Sequence, residues 1–338
     1  MTRRDFLKLS LALTIGGFSM KSEAKEQFLA KKIDFHAHAI LPSYISALKT
    51  LKIDAAAEEG FPLPKWSADA HLQFMNAADI DFTILSMATP HISEKNAVRE
   101  INEEFSELCL RFPQKFGFVA TLSLPNVEES IEEFFYATEK LGALGVKVAS
   151  NSDGIYLGNE QLDPIFSALN EKKSLIIVHP SPARTLPREN VVTGKVMALF
   201  EYPADTTRAI LNLLANKTLE KFPNLRIIVP HCGSFLPYMK QRAGAMFKML
   251  ASMDLMEPVN FETDIKKLFF DTAGDPMPEQ FDILLKIASL EQIIFGTDYP
   301  YVPAQVILSR KKVFDEELSK RSLTEKIYVE NAKKLLGD

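Results

Sequence analysis

The sequence of 338 residues predicts an α/β fold built as a single closed (β/α)8 barrel. Apolar, β-rich segments alternate with amphipathic helical segments along the chain. The strand-like segments are nearly continuous apolar runs, such as Ser174-Leu175-Ile176-Ile177-Val178, as in parallel strands covered on both faces. Eight such runs alternating with helices over about 300 residues fit one closed barrel better than two doubly wound sheets.

Each predicted strand is a short apolar segment bounded by polar or turn-forming residues. The predicted strands are Lys32–His38, Asp81–Ala88, Lys115–Leu124, Gly145–Ser150, Ser174–Pro180, Leu225–Gly233, Leu268–Ala273 and Gln292–Pro300.

The predicted helices follow the strands and carry apolar residues at helical spacing. In the first of them Ser67 is a suitable N-cap, and Leu72, Met75 and Ile80 form the buried stripe. The helices are predicted near Ser67–Met75, Ser93–Phe112, Val127–Leu141, Asp163–Lys172, Pro203–Lys221 and Glu279–Ile287, after His231, and from Ala304 and Thr324.

Two long connections, Ile40–Lys65 and Ser181–Tyr202, follow the first and fifth strands and are rich in proline, aromatic and charged residues. Such loops at the carboxyl ends of barrel strands are typical of lids or substrate walls.

The first residues predict a twin-arginine signal peptide over residues 1–24. Arg3-Arg4 precedes the apolar run Leu9–Met20, and Ser22-Glu23-Ala24 provides small residues for cleavage after Ala24. The run is too short to span a bilayer comfortably. We therefore expect a periplasmic protein, delivered by the twin-arginine export machinery, whose residues 25–338 form a single domain. An uncleaved membrane anchor and a disordered basic tail are the alternatives.

Composition excludes several classes of protein. With 46% hydrophobic and 25% charged residues the chain is an ordinary globular protein. Its net charge of −5 argues against a nucleic-acid partner, because phosphate binding requires a basic surface. Its two cysteines form neither a disulfide framework nor a cysteine-based zinc site.

His36 and His38 end the first predicted strand and are two residues apart. Residues so spaced lie on one face of a strand, with Cα atoms roughly 7 Å apart. Two neutral imidazoles at that separation can bind one divalent ion. A pair of surface or core histidines is the alternative interpretation.

Four of the six histidines, His36, His38, His179 and His231, end predicted strands, and Asp298 follows the last one. Barrel enzymes place their chemistry at this end. Three imidazoles and a carboxylate suit Zn²⁺ best, with Mn²⁺ or Fe²⁺ also possible. His179 could instead be a core histidine and Asp298 a helix cap, and His231 suits an acid–base role better than a ligand role.

Other polar residues are candidates for substrate binding. Arg242, Arg184 and Arg188 could bind a substrate carboxylate, and His91 follows the second strand. The arginines could equally be surface residues. Lys147 could be carboxylated to bridge a second metal, or it could form a salt bridge at the rim.

Taken together, these motifs resemble the amidohydrolase-related family that includes 2-amino-3-carboxymuconate-6-semialdehyde decarboxylase. Further segments are most similar to the branch that contains 6-methylsalicylate decarboxylase. The family motifs are Ile33–His38, Val178–Pro180, Pro230–Gly233 and Phe295–Pro300, and the branch segments are Pro64–Ser67, Gly154–Gly158 and Glu201–Ala209. The resemblance runs from about Lys32 to the C-terminus.

The resemblance implies a distorted (β/α)8 TIM barrel of the metal-dependent hydrolase type that holds one divalent ion. By position, His36, His38, His179 and Asp298 would be the ligands and His231 the acid–base residue. The resemblance also implies a homodimer. Cys232 and Thr297 depart from the residues common in the family, and neither departure removes a site residue.

The function expected is metal-dependent, non-oxidative decarboxylation of an aromatic or unsaturated carboxylic acid, with Asp298 or His231 supplying the proton. The same five residues could hydrolyse a lactone or amide. A non-catalytic binding protein is a third possibility, although such a protein would be expected to have lost at least one site residue.

Overall fold

The computed structural model describes residues 32–183 and 196–337. The predicted signal peptide, Arg184 and Arg188 lie outside the described residues.

Ten short strands form within the described residues, and eight of them match the predicted strands. They are β1 (Ile33–Ala39), β2 (Phe82–Met87), β3 (Phe116–Phe118), β4 (Gly145–Ala149), β5 (Asn151–Ser152), β6 (Ile155–Tyr156), β7 (Leu175–His179), β8 (Arg226–Val229), β9 (Phe269–Asp271) and β10 (Ile293–Ile294). Strands β5 and β6 form an antiparallel hairpin that the sequence analysis did not predict.

The eight predicted strands close into a parallel barrel. One sheet has the order β1-β2-β3 and the other β10-β9-β8-β7-β4. Single parallel bridges join the two sheets, Ala120 with Val146 on one side and Ala37 with Tyr299 on the other. The prediction of one closed but distorted barrel is therefore confirmed, and the distortion lies where only one bridge holds neighbouring strands together.

Thirteen α-helices surround the barrel in the described part of the chain. They are α1 (Pro42–Leu51), α2 (Ala55–Glu59), α3 (Ala68–Ala77), α4 (Lys95–Arg111), α5 (Val127–Glu139), α6 (Asp163–Glu171), α7 (Glu201–Ala215), α8 (Thr218–Lys221), α9 (Leu236–Ser252), α10 (Phe261–Asp264), α11 (Glu279–Leu284), α12 (Ala304–Lys320) and α13 (Asn331–Gly337).

The predicted helix Pro203–Lys221 is divided into α7 and α8, because Lys217 adopts a left-handed backbone with φ of 57°. The helix predicted from Thr324 does begin there, and it passes through a π-helical segment, Lys326–Glu330, before α13.

The connection after β1 is more ordered than a lid loop, because it contains α1 and α2. Helix α2 begins where the Asp54 side chain accepts hydrogen bonds from the backbone N–H groups of Ala56 and Ala57. It ends at Gly60, whose φ of 82° favours glycine. These caps fix the position of the last residue of α2, Glu59.

The buried apolar residues form two clusters. The larger lies between strands and helices, and the smaller joins Ile33, Ile84, Ile177 and Ile294 of the strands to Leu335 of α13. In the described residues, no helix has the length and apolar character needed to cross a membrane.

Candidate active site

The structure brings the four predicted ligands together at the carboxyl ends of the strands. His36 and His38 lie on β1, His179 is the last residue of β7, and Asp298 follows β10. One ligand atom from each residue lies within 4.8 Å of the others. The backbone N–H of Asp298 donates to the carbonyl of His36 at 2.7 Å, which holds the carboxylate beside β1. These residues form a metal-binding site.

The hydrogen bonds of the imidazoles fit a metal site. The Nδ1 atom of His36 lies 2.7 Å from Asp271 Oδ2, that of His38 lies 3.2 Å from the Met87 carbonyl, and that of His179 lies 3.1 Å from the Pro180 carbonyl. The Nε2 atoms of His36 and His38 are buried and make no hydrogen bond with a described residue. Histidine ligands are typically held through one nitrogen so that the other faces the metal.

The carboxylate of Asp298 faces those free nitrogens. Its Oδ1 lies 3.5 Å from His36 Nε2 and 3.3 Å from His38 Nε2. Three imidazole nitrogens and one carboxylate oxygen form a donor set suited to Zn²⁺, Mn²⁺ or Fe²⁺.

Burial and neighbouring charges shift the pKa values of this group. Burial lowers the pKa of His38 to about 4 and that of His179 well below its usual range. Burial acts in the same direction on His36, but the Asp271 carboxylate outweighs it and raises the pKa of His36. Burial also opposes charge on Asp298, but the nearby imidazoles of His231, His38 and His36 hold the pKa of Asp298 below its ordinary value. Neutral imidazoles and an ionised carboxylate are the forms that bind a metal ion.

His231 lies beside the ligands and faces the main cavity. Its Nε2 is 3.8 Å from Asp298 Oδ2, and its ring centre is 4.9 Å from that of His36. Its side chain is 22% exposed, so it can reach both Asp298 and a bound molecule. The acid–base role of His231 stays a prediction.

Asp271, the last residue of β9, is a site residue that the sequence analysis missed. Its Oδ2 binds His36 Nδ1, and its Oδ1 accepts hydrogen bonds from the backbone N–H groups of His231 at 2.9 Å and Ala273 at 3.0 Å. Burial opposes its charge, yet the neighbouring His36 imidazole holds the pKa of Asp271 below its usual value. An acidic residue at the end of a predicted strand was the available signal.

A cavity of about 420 Å³ opens next to His179, His231 and Asp298. Such a volume suits a small organic ligand. Its wall is mostly apolar and aromatic, and Glu59 from α2 and Tyr202 from α7 contribute polar groups. Sequence analysis missed both residues.

Of the predicted substrate-binding residues that the structure describes, neither Arg242 nor His91 lines the cavity. Arg242 is exposed on α9 and is not part of the wall, so the structure does not bring it to the site. Among the described residues of the wall there is no lysine or arginine. The ring of His91 lies 5.8 Å from that of His179, behind the wall. Lys147 is buried and its amine donates to the Met87 carbonyl.

Comparison with known proteins agrees with the predicted family. Residues 33–337 match the amidohydrolase family. A 6-methylsalicylic acid decarboxylase from Penicillium expansum is 28% identical over 288 residues, which cover 82% of this chain and 87% of the relative. A 2-amino-3-carboxymuconate-6-semialdehyde decarboxylase from Dictyostelium discoideum is 24% identical over 298 residues, covering 84% and 82%.

A solved structure shares the fold. The 5-carboxyvanillate decarboxylase of Novosphingobium aromaticivorans, crystallised with manganese and 4-hydroxy-3-methoxy-5-nitrobenzoic acid, superposes with a TM-score of 0.79. It is 20% identical, and the match covers 92% of this chain and 97% of that one. The matched family, the barrel and the metal-binding residues lead to one conclusion: this chain belongs to the amidohydrolase family, and its relatives include the predicted decarboxylases.

Proposed function

We propose that this protein is a metal-dependent, non-oxidative decarboxylase of an aromatic or unsaturated carboxylic acid. The observation that carries the proposal is the position of His231 and Asp298, which lie 3.8 Å apart between the metal-binding imidazoles and an apolar cavity. The decarboxylase relatives favour this activity over hydrolysis of a lactone or amide.

His36, His38, His179 and Asp298 would hold the ion. A bound ion would supply Lewis-acid stabilisation of negative charge on a substrate oxygen. We propose zinc, as the donor set suggests; manganese is the alternative, because the decarboxylase from N. aromaticivorans holds it. Elemental analysis of protein purified without added metal decides between them.

The chain's own residues handle the proton. His231 or Asp298 delivers a proton to the carbon that bears the carboxylate. The electron pair of the bond to the carboxylate then returns to the ring, and carbon dioxide leaves. The residue that donated the proton then regains one from water. The net reaction replaces the carboxylate by a proton and releases carbon dioxide, so no oxidant or reductant is needed.

The decisive experiment incubates the metal-loaded protein with salicylate-like acids and, separately, with lactones. We expect carbon dioxide from at least one acid and no ring opening of the lactones. A metal-loaded protein that releases no carbon dioxide from any aromatic acid would contradict the proposal.

A His231→Ala variant should keep its metal and lose about 10²–10⁴ in turnover, because an acid–base group is removed and no ligand is touched. Turnover unchanged in a variant that retains its metal would show that His231 has no acid–base role. This variant also tests the binding-protein alternative, which predicts no turnover to lose.

We also propose export to the periplasm through the twin-arginine signal at residues 1–24, and assembly as a homodimer. Fractionation of cells, with and without an Arg3-Arg4 to Lys-Lys change, tests export.

Light scattering tests the dimer. Exposed Met249, on α9, and exposed Met253, just after α9, offer apolar surface for it.

A further inference from the structure

The geometry points to Glu59 as a specificity-determining residue that selects ring substrates carrying a hydrogen-bond donor, a hydroxyl or amino group, away from the reacting carboxylate. This inference rests on the proposed function, because it concerns the substrate of the same site.

Glu59 is a carboxylate held deep in the cavity wall. It is 1% exposed, although it lines the cavity that contains His179 and His231. It is the last residue of α2, whose ends are fixed by Asp54 and Gly60. A buried acidic residue requires a partner, because burial without one is unfavourable.

Only one oxygen of Glu59 has such a partner. The Tyr202 hydroxyl donates to Oε2 at 2.5 Å. The other oxygen, Oε1, is buried and makes no hydrogen bond within the described residues. An unpaired acceptor in a ligand cavity discriminates strongly between molecules that can donate to it and those that cannot.

The hydrogen bond from Tyr202 occupies Oε2, so Oε1 is the oxygen left for a ligand. Burial raises the pKa of Glu59, and the hydrogen bond from Tyr202, the Thr89 side chain and Lys147 offset only part of that rise. Lys147 does not line the cavity, and its amine donates to the Met87 carbonyl. Lys147 therefore supplies no donor inside the cavity.

The wall offers no basic side chain to a second carboxylate on the substrate. None of the described residues that line the cavity is a lysine or arginine. A hydroxyl or amino group can donate to Oε1, whereas an ionised carboxylate has no proton to donate. Glu59 thus selects a donor group at its own place on the ring.

The test measures binding, so it does not depend on turnover. Calorimetry on the metal-loaded protein uses 2-nitrophenols, in which a nitro group replaces the reacting carboxylate and cannot leave. The series varies one further ring position at a time, which carries hydrogen, hydroxyl, methoxy or carboxyl. At one of these positions we expect the hydroxyl probe to bind with a Kd at least about tenfold lower than the hydrogen probe. The methoxy and carboxyl probes should bind no more tightly than the hydrogen probe there.

Two variants assign the preference to Glu59. Glu59→Met should abolish it, whereas Glu58→Met, the same change at the exposed neighbour on α2, should leave it intact. Should Glu59→Met not fold, Glu59→Gln keeps the shape and turns an amide N–H₂ toward the cavity, so the hydroxyl preference should be lost or move to methoxy.

Equal binding of hydroxyl and hydrogen probes at every position, or a hydroxyl preference unchanged in the Glu59 variants, overturns the inference. Donor-dependent binding without carbon dioxide release from any acid would instead overturn the decarboxylase proposal and leave the role of Glu59 standing.

Discussion

Asp271 joins the metal-binding residues to the proposed acid–base residue through one buried carboxylate. One oxygen fixes the His36 imidazole, and the other holds the backbone of His231, whose φ is 55°. Such a backbone is uncommon for a non-glycine residue, and here the hydrogen bond to Asp271 helps to hold it. Asp271 therefore positions two functional side chains without facing the substrate.

Replacing this carboxylate should weaken metal binding. In Asp271→Asn the amide removes the charge that pairs with His36. Loss of such a supporting partner typically lowers metal affinity about 10–100-fold. Competition with a coloured chelator measures the effect. Asp282→Asn, at an exposed carboxylate paired with Arg321, is the control and should bind as the unmodified protein does. Equal affinity of both variants would contradict the positioning role.

Among single residues, the sequence predicted those site residues that lie at the end of an apolar strand. His36, His38, His179 and Asp298 each stand next to a recognisable apolar strand, so their meeting followed from the barrel. Glu59 gave no such signal, because Ala55-Ala56-Ala57-Glu58-Glu59 looks like any solvated helix. Its burial depends on Tyr202, which is 143 residues away in the sequence, and single-sequence patterns do not reveal such contacts.

Among the elements, the unpredicted hairpin β5–β6 packs on helix α7. The Asp205 side chain of α7 accepts hydrogen bonds from Asn151 at 2.9 Å and Tyr156 at 2.5 Å. Both strands have only two residues, too few for an alternating pattern to be recognised. The hairpin is held by its contacts with α7 more than by its own sequence.

The turn after this hairpin depends on a close approach of backbones. Gly158 has a φ of 92°, and a Cβ at this position would lie 2.6 Å from Leu213 Cα. We expect Gly158→Ala to lower the free energy of unfolding by about 2–4 kcal/mol, because backbone strain and overpacking add together. Urea unfolding measures the change.

Gly142→Ala is the matched control. Gly142 also has a positive φ, of 77°, but nothing lies within 4 Å of the added Cβ. Gly142→Ala should therefore lower the free energy of unfolding by only about 1 kcal/mol, because backbone strain is its sole cost. Equal losses of unfolding free energy in the two variants would show that the close contact between Gly158 and α7 does not contribute to the effect.

For the whole molecule, the metal site lies at one of the two closures of the barrel. The bridge of Ala37 with Tyr299, together with backbone hydrogen bonds such as that from the His38 N–H to the Tyr299 carbonyl, joins β1 to the last strand and the segment after it. His36 and His38 lie on one side of this closure and Asp298 on the other. A bound ion would therefore hold the two sides together, in addition to its chemical role.

Removing the ion should destabilise the fold. A ligand that binds only the folded state adds about 2.7 kcal/mol when its free concentration is 100 times its Kd. We expect a strong chelator to lower the melting temperature and readdition of the metal to restore it, as followed by circular dichroism. Hydrogen exchange should quicken first in β1 and in the segment after β10. A melting temperature indifferent to chelation would contradict this account.

The order of the ligands along the chain has a consequence for biosynthesis. The first two are residues 36 and 38, but the fourth is residue 298. A nascent polypeptide therefore cannot assemble the complete coordination sphere until residue 298 has been synthesised. We expect metal loading to wait until then.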